Sequence, residues 1–134
     1  MREIKFRAWD KKCIEVYGTG MSYGEHEYFD DMLAFRFNHF ESDNPSEIIY
    51  EQFTGLCDKN GREVYEGDIC NVLSPDGLNT HSVVVFVDGC FELHFISPVV
   101  IRGAYNDRDY LKCHTVNHAV EVIGNIHENS EPLK

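Results

Sequence analysis

The stretch SVVVFVDGCFELHFI, residues 82–96, constrains the fold more than any other part of the chain. Two runs of β-branched and aromatic residues flank Asp88-Gly89. That pair suits a two-residue hairpin turn, whose central residues take positive φ. A lone hairpin is marginal in water, so this one needs further strands around it. Candidates are plentiful. AVEVIGNIH (119–127) alternates, with Gly124 marking a bulge or a close backbone approach. IIYEQF (48–53), REVY (62–65), DICNVL (68–73) and VVIR (99–102) also read as strands. SPDG (74–77) is a turn, in which Pro75 presets φ and Gly77 tolerates a positive value.

The N-terminal third is read the same way. In REIKFRAW (2–9), Ile4, Phe6 and Ala8 share one face, and Lys5, Arg7 and Trp9 share the other. After DKK the alternation resumes in CIEVY, so residues 2–17 are expected to form a hairpin. GTGMSYGE is expected to be a loop. Residues 25–40 read either way: Tyr28, Met32 and Phe35 lie at helical spacing, while Leu33, Phe35 and Phe37 alternate. The balance falls on a short helix or turn leading into a strand. ESDNPSE (41–47) is a loop with a turn at Asn44-Pro45, and it is the only linker-like stretch. GAYNDRDYLKCHTVNH (103–118) is expected to be an irregular or partly helical connection, and ENSEPLK a polar tail. The sum is a mainly β, antiparallel barrel-like or sandwich-like sheet of short strands, with long irregular loops and at most one or two short helices. A chain of 134 residues reads as one domain, 1–134, large enough for its own core.

Charge and cysteine content narrow the function classes. The formal charge of −11 opposes non-specific attraction to nucleic-acid phosphates and to anionic membranes. The five cysteines are odd in number and form no CxxC pair, so free thiols in a reducing cytoplasm are expected. The opening MREIKFRAWDKKC has no apolar run of the signal-peptide kind, and no window approaches the ~18 apolar residues of a membrane span. A cytoplasmic location is therefore expected, without membrane contact.

Three stretches carry a family pattern: REIKFRAWD (2–10), FTGLCDKNGREVYEGDI (53–69) and VIGNIHENSEPL (122–133). Together they resemble YopX-like proteins, a family of small phage and prophage proteins. The matching positions include Thr54, Gly55, Leu56, Asp58, Asn60, Gly61, Tyr65, Glu66, Gly67, Asp68, Gly124 and Asn125. The resemblance implies a phage or prophage origin, a bacterial host cytoplasm and a largely β core. It brings no activity and no catalytic residues. Cys57 and Cys70 stand where that pattern commonly has lysine and valine, which argues against a special role for either. His127 stands at a tyrosine position, and Ser130 is inserted.

The residues from Thr54 to Cys70 invite chemical readings. With Gly61 at position 6 of a calcium loop, Asp58 and Asn60 fall on ligand positions, but Leu56 and Gly67 occupy positions 1 and 12, which need carboxylates. An Asn60-Gly61 hairpin turn with a returning strand fits better. For zinc the one close cluster is Cys113, His114 and His118; a helix would put the two histidines on one face, but a second ligand pair is missing. No metal or other cofactor is expected. A cysteine or serine nucleophile lacks a motif to select it, and Glu66 with Asp68 is better read as a turn in which Asp68 holds local backbone amides. His94 is expected to be a strand residue facing solvent or packing by its ring edge.

Two binding readings remain. Arg2, Lys5, Arg7, Trp9 and Lys11 would offer nucleic acid cations and a stacking ring, in the manner of an SH3-like barrel. The competing reading places Lys5, Arg7 and Trp9 on the outer face of a terminal hairpin, with their stems covering core edges. Residues 25–51 hold eight acidic residues against Arg36 alone, an acidic face that also contains Tyr28, Phe29, Phe35, Phe37 and Phe40. Those aromatics fit a protein interface with an acidic rim, or the protein's own core. A non-enzymatic binding or regulatory protein, contacting another protein or a copy of itself, is the preferred reading. Nucleic-acid binding, and an enzyme with a carboxylate and histidine site, are the alternatives.

Overall fold

The computed structural model describes residues 4–29, 32–36, 47–73, 77–101, 104–116 and 118–128. It divides into two compact units, Met1–Phe53 and Thr54–Lys134. Both are built from antiparallel strands with very short helices, as the alternation and turn pattern require.

In the first unit, β1 (Phe6–Trp9) pairs with β2 (Met21–Tyr23) on one side and with the start of β5 (Ile49–Cys57) on the other. The expected hairpin over residues 2–17 does not form. CIEVY is instead α1 (Cys13–Tyr17), and β2 lies inside what reads as a loop. The reason is local hydrogen bonding. The Asp10 carboxylate accepts from the Lys12 amide (3.1 Å) and the Asp10 carbonyl accepts from the Cys13 amide (3.0 Å), which starts the helical turn. Gly18 then ends it at φ 79°, its amide donating to the Ile14 carbonyl. The Asp10 amide donates to the Gly20 carbonyl, and a side chain on Gly20 would strike Trp9 and the Asp10 carbonyl within 3 Å. Only glycine lets β2 pass this close.

Residues 25–36 form β3 (Glu25–Phe29) and β4 (Met32–Arg36), paired from Glu25–Arg36 to Phe29–Met32. The alternating reading therefore prevails over the helical one. The loop 41–46, the turn at 74–76 and the tail 129–134 lie outside the described residues.

In the second unit, β6 (Glu63–Tyr65) neighbours β5, and a five-stranded sheet follows in the order β10-β9-β8-β7-β11. Its strands are β7 (Asp68–Leu73), β8 (Asn79–Val87), β9 (Cys90–Ile101), β10 (Ala104–Tyr110) and β11 (Val120–Asn125). The β8–β9 hairpin forms as expected: Asp88 and Gly89 sit at φ 49° and 83°, and Phe86 meets Phe91 at 4.9 Å. The bulge at Gly124 is also present, as a register shift between Val122 and Gly124 against β7. Residues 104–110, expected to be irregular, form the edge strand β10. An edge strand pairs on one side only, so its polar sequence hides it from alternation.

One face of this sheet makes the core. Cys70, Val72, Val84, Leu93, Phe95, Val120 and Val122 pack there with Val64 and with Leu111 from α2 (Leu111–Val116). Cross-strand pairs Val72–Val120, Cys70–Val122 and Val84–Leu93 put these side chains on one face.

Candidate functional site

The stretch from Thr54 to Cys70 is a backbone scaffold. Asn60-Gly61 reverses the chain, with Gly61 at φ 83°. Asp58 is buried behind that turn and its two oxygens accept three backbone amides. Oδ1 takes Asn60 and Arg62, both at 2.9 Å; Oδ2 takes Val122 of β11 at 2.9 Å. One carboxylate thus shapes the turn and fixes it to a strand 64 residues away in sequence. Thr54 donates its hydroxyl to the Val64 carbonyl (2.7 Å) and accepts from the Leu56 amide (3.2 Å). The buried Asp68 accepts from the Tyr65 amide (2.8 Å), the local role expected of it. Gly67, at φ 86°, donates to Val84 and accepts from Ile126, and Asn125 Oδ1 takes the amides of His127 and Glu128. The motif carboxylates Asp58 and Asp68 therefore face backbone amides.

The cysteines divide by exposure. All five are free thiols; Cys13 and Cys70 are buried, and Cys57, Cys90 and Cys113 are exposed. Burial pushes the Cys70 thiol far up, and Asp68 and Asp58 push it further, against a smaller opposing pull from Arg62. It stays protonated and is a poor nucleophile.

The candidate ligands Cys113, His114 and His118 are not brought together. α2 ends at Val116, so His118 lies beyond the helix, at φ 54° and exposed. Cys113 is exposed while His114 turns inward, its Nε2 3.0 Å from Asp109 Oδ2 and its ring edge-on to Phe95. Among the described residues no three His, Cys, Asp or Glu side chains gather as a metal site. On the other sheet face His94 lies 3.1 Å from Glu92, half exposed. A shallow depression of about 230 Å³ at this end of the sheet is lined by Val87, Asp88, Glu92, Arg108, Asp109 and Tyr110. Two of its carboxylates already hold His94 and His114.

The proposed nucleic-acid set is not displayed as one face. Arg7 is 1 % exposed, and its Nε donates to Glu51 Oε1 at 2.9 Å across the β1–β5 pair. Trp9 is buried as well. This corrects the expectation that Arg7 and Trp9 stand on an outer face; β1 is covered on both sides. Lys5 is half-buried, its ammonium 5.5 Å from the centre of the Phe53 ring. Lys11 is exposed, and Arg2 lies outside the described residues. Of the acidic face, Glu51 is the buried partner of Arg7. Tyr28, Phe29 and Phe35 fall on β3 and β4, and Phe37 and Phe40 lie outside the described residues.

One surface of the first unit was not singled out by sequence. α1 buries Cys13 alone and leaves Ile14, Val16 and Tyr17 exposed, Val16 by 61 %. The Lys12–Glu47 ion pair (3.2 Å) sets the start of this helix beside the residues leading into β5, where Ile49 is also exposed. The signal was present in the sequence: three apolar residues within five, closed by Gly18.

The fold has relatives among solved structures. The chain matches the crystal structure of protein EF1440 from Enterococcus faecalis over the whole of both chains, with 23% identity and a TM-score of 0.59. It matches the crystal structure of protein yopX from Bacillus subtilis over 97% of this chain and 98% of that one, with 20% identity and a TM-score of 0.55. No curated protein matches it in sequence. The model of the YopX protein family matches residues 5–134, a span that holds the described strands of both units. Those residues include the Asp58 and Gly67 turns and the Gly124 bulge, and the chain belongs to the YopX protein family.

Proposed function

We propose that this is a phage- or prophage-encoded accessory protein of a bacterial host, non-enzymatic, which acts by contacting protein through the exposed apolar side chains of α1. The observation that carries this reading is the inversion of α1: a five-residue helix buries one side chain and presents three apolar ones to solvent. Isolated helices that short do not persist on propensity, so the chain holds this one in place by the Asp10 and Gly18 contacts. Exposed apolar groups gathered in one place mark interaction surfaces. The polar groups most suggestive of catalysis are otherwise occupied. Asp58 serves three backbone amides, and His114, 7 % exposed, is covered.

A photo-crosslinking residue at position 16 tests the proposal in producing cells. A crosslinked polypeptide that disappears when the crosslinker is moved to exposed Asn79 supports it. Equal yields at both positions, or none at 16, sink it. Retention of labelled DNA at low salt, lost on replacing Lys5 and Lys11, would favour the nucleic-acid alternative instead.

A further inference from the structure

We propose that Asn60-Gly61 is a self-modifying site, where the asparagine loses ammonia through a cyclic imide, and that Asp58 sets the pace by holding the turn shut. Asn60 is the one asparagine of the chain that precedes glycine. Both residues are exposed. A side chain built on Gly61 would meet nothing within 4 Å, so the flank of this peptide bond is open. Among the described residues no hydrogen bond holds the Asn60 side-chain amide. The electrophile is free to turn, and the nitrogen beside it belongs to a residue with no side chain to hinder approach. The step is an intramolecular acyl transfer. The Gly61 nitrogen attacks Asn60 Cγ and gives its proton to water. The Cγ–Nδ2 bond breaks, and Nδ2 takes a proton from solvent and leaves as ammonia. Water then opens the imide at one of its two carbonyls. Opening at Cγ leaves aspartate; opening at the backbone carbonyl carbon leaves isoaspartate, with the main chain running through the former side chain. Water is the only co-reactant. Either product adds a carboxylate beside Asp58, on a chain already at −11.

Asp58 separates this site from the same dipeptide in a free chain. The attacking nitrogen is itself engaged: the Gly61 amide donates to the Asp58 carbonyl at 3.0 Å. The amides on either side of it, those of Asn60 and Arg62, both donate to Asp58 Oδ1 at 2.9 Å. The Asp58 amide in turn donates to the Arg62 carbonyl at 2.8 Å. Closing the imide swings the peptide plane between residues 60 and 61, which breaks the Gly61 bond and pulls on the two beside it. The imide therefore forms from turns that have opened, and its rate follows the opening of this turn and not of the whole protein. Losing a bond to a charged group shifts such an equilibrium roughly ten- to a hundredfold.

Timed incubation at mildly alkaline pH, then digestion and mass spectrometry of the peptide that holds Asn60, reads the conversion as the mass change from amide to acid. The urea-denatured chain is expected to convert fastest, and the folded wild type at least about tenfold more slowly. Asp58→Ala is expected to convert roughly ten- to a hundredfold faster than wild type while keeping its circular dichroism spectrum. Asp58→Asn, which keeps one acceptor oxygen but loses the charge, is expected to fall between the two; if Asp58→Ala does not fold, this variant decides alone. In urea below the unfolding transition the wild-type rate is expected to stay flat, because opening one turn exposes little surface. A denatured chain that leaves Asn60 intact overturns the modification. Folded wild type converting as fast as the denatured chain, or a folded Asp58 variant converting like wild type, overturns the control by Asp58. A wild-type rate that climbs steeply in mild urea does the same, since the route would then be global unfolding.

Discussion

The turn at residues 54–70 and the helix at residues 13–17 handle their side chains in opposite ways. The turn is rich in carboxylates and turns the decisive ones inward, where Asp58 and Asp68 hold backbone amides. The helix is rich in apolar residues and turns most of them outward. Residue type alone would have ranked them the other way round, the acidic loop as the working site and the apolar turn as core. What separates them is whether each side chain has its physical need met inside the chain. A carboxylate such as Asp58, whose two oxygens accept three amides, has little left to offer a ligand, whereas an exposed valine gains by finding cover. Function is best sought where a local rule is broken without an evident internal gain.

That contrast can be broken by substitution. The largest effect is expected at Arg7. Replacing it with alanine removes the cation beside the buried Glu51 carboxylate and should destabilise folding by about 3–5 kcal/mol. Replacing both residues with apolar ones of similar size should recover most of that loss in urea denaturation; a double variant as unstable as the single one would show that the pair itself is indispensable. Next comes Asp58→Ala, which removes the acceptor for three amides, the Val122 amide among the buried groups. A loss of about 3 kcal/mol is expected from the broken charge-assisted bonds and the orphaned donors. A midpoint unchanged from wild type would mean that the turn does not depend on its carboxylate. The smallest effect is expected at Val16→Ser, within about 0.5 kcal/mol, as for other exposed positions. A large loss there would mean that α1 serves the fold and not a partner.

Much of the second unit was legible from sequence, for physical reasons that differ by element. Asp88-Gly89 announces its hairpin because few residues tolerate positive φ twice in succession. Gly124 announces its bulge for a related reason. β10 was hidden: an edge strand need not alternate, and Asn106 to Asp109 carry no β signature. In the first unit CIEVY alternates like a strand, yet five residues are too few for periodicity to decide between a strand and one helical turn. The Asp10 carboxylate and Gly18 settle the matter, and both are visible in the sequence as an acidic residue three before the helix and a glycine just after it. The burial of Arg7 and Trp9 was not legible. Alternation says that two faces exist, but not that both are covered, and the partner Glu51 lies 44 residues away. The exposed side of α1 was missed because apolar residues are assigned inward by default.

The bulge on the β11 edge of the five-stranded sheet has a consequence for strand addition. A growing fibril copies one strand onto the next, and copying needs an unbroken row of amides and carbonyls at constant spacing. Between Val122 and Gly124, where β11 carries one residue more than β7, that spacing slips. An incoming strand in step with one half of this edge is out of step with the other half, so the bulge guards the β11 side of the sheet by arithmetic.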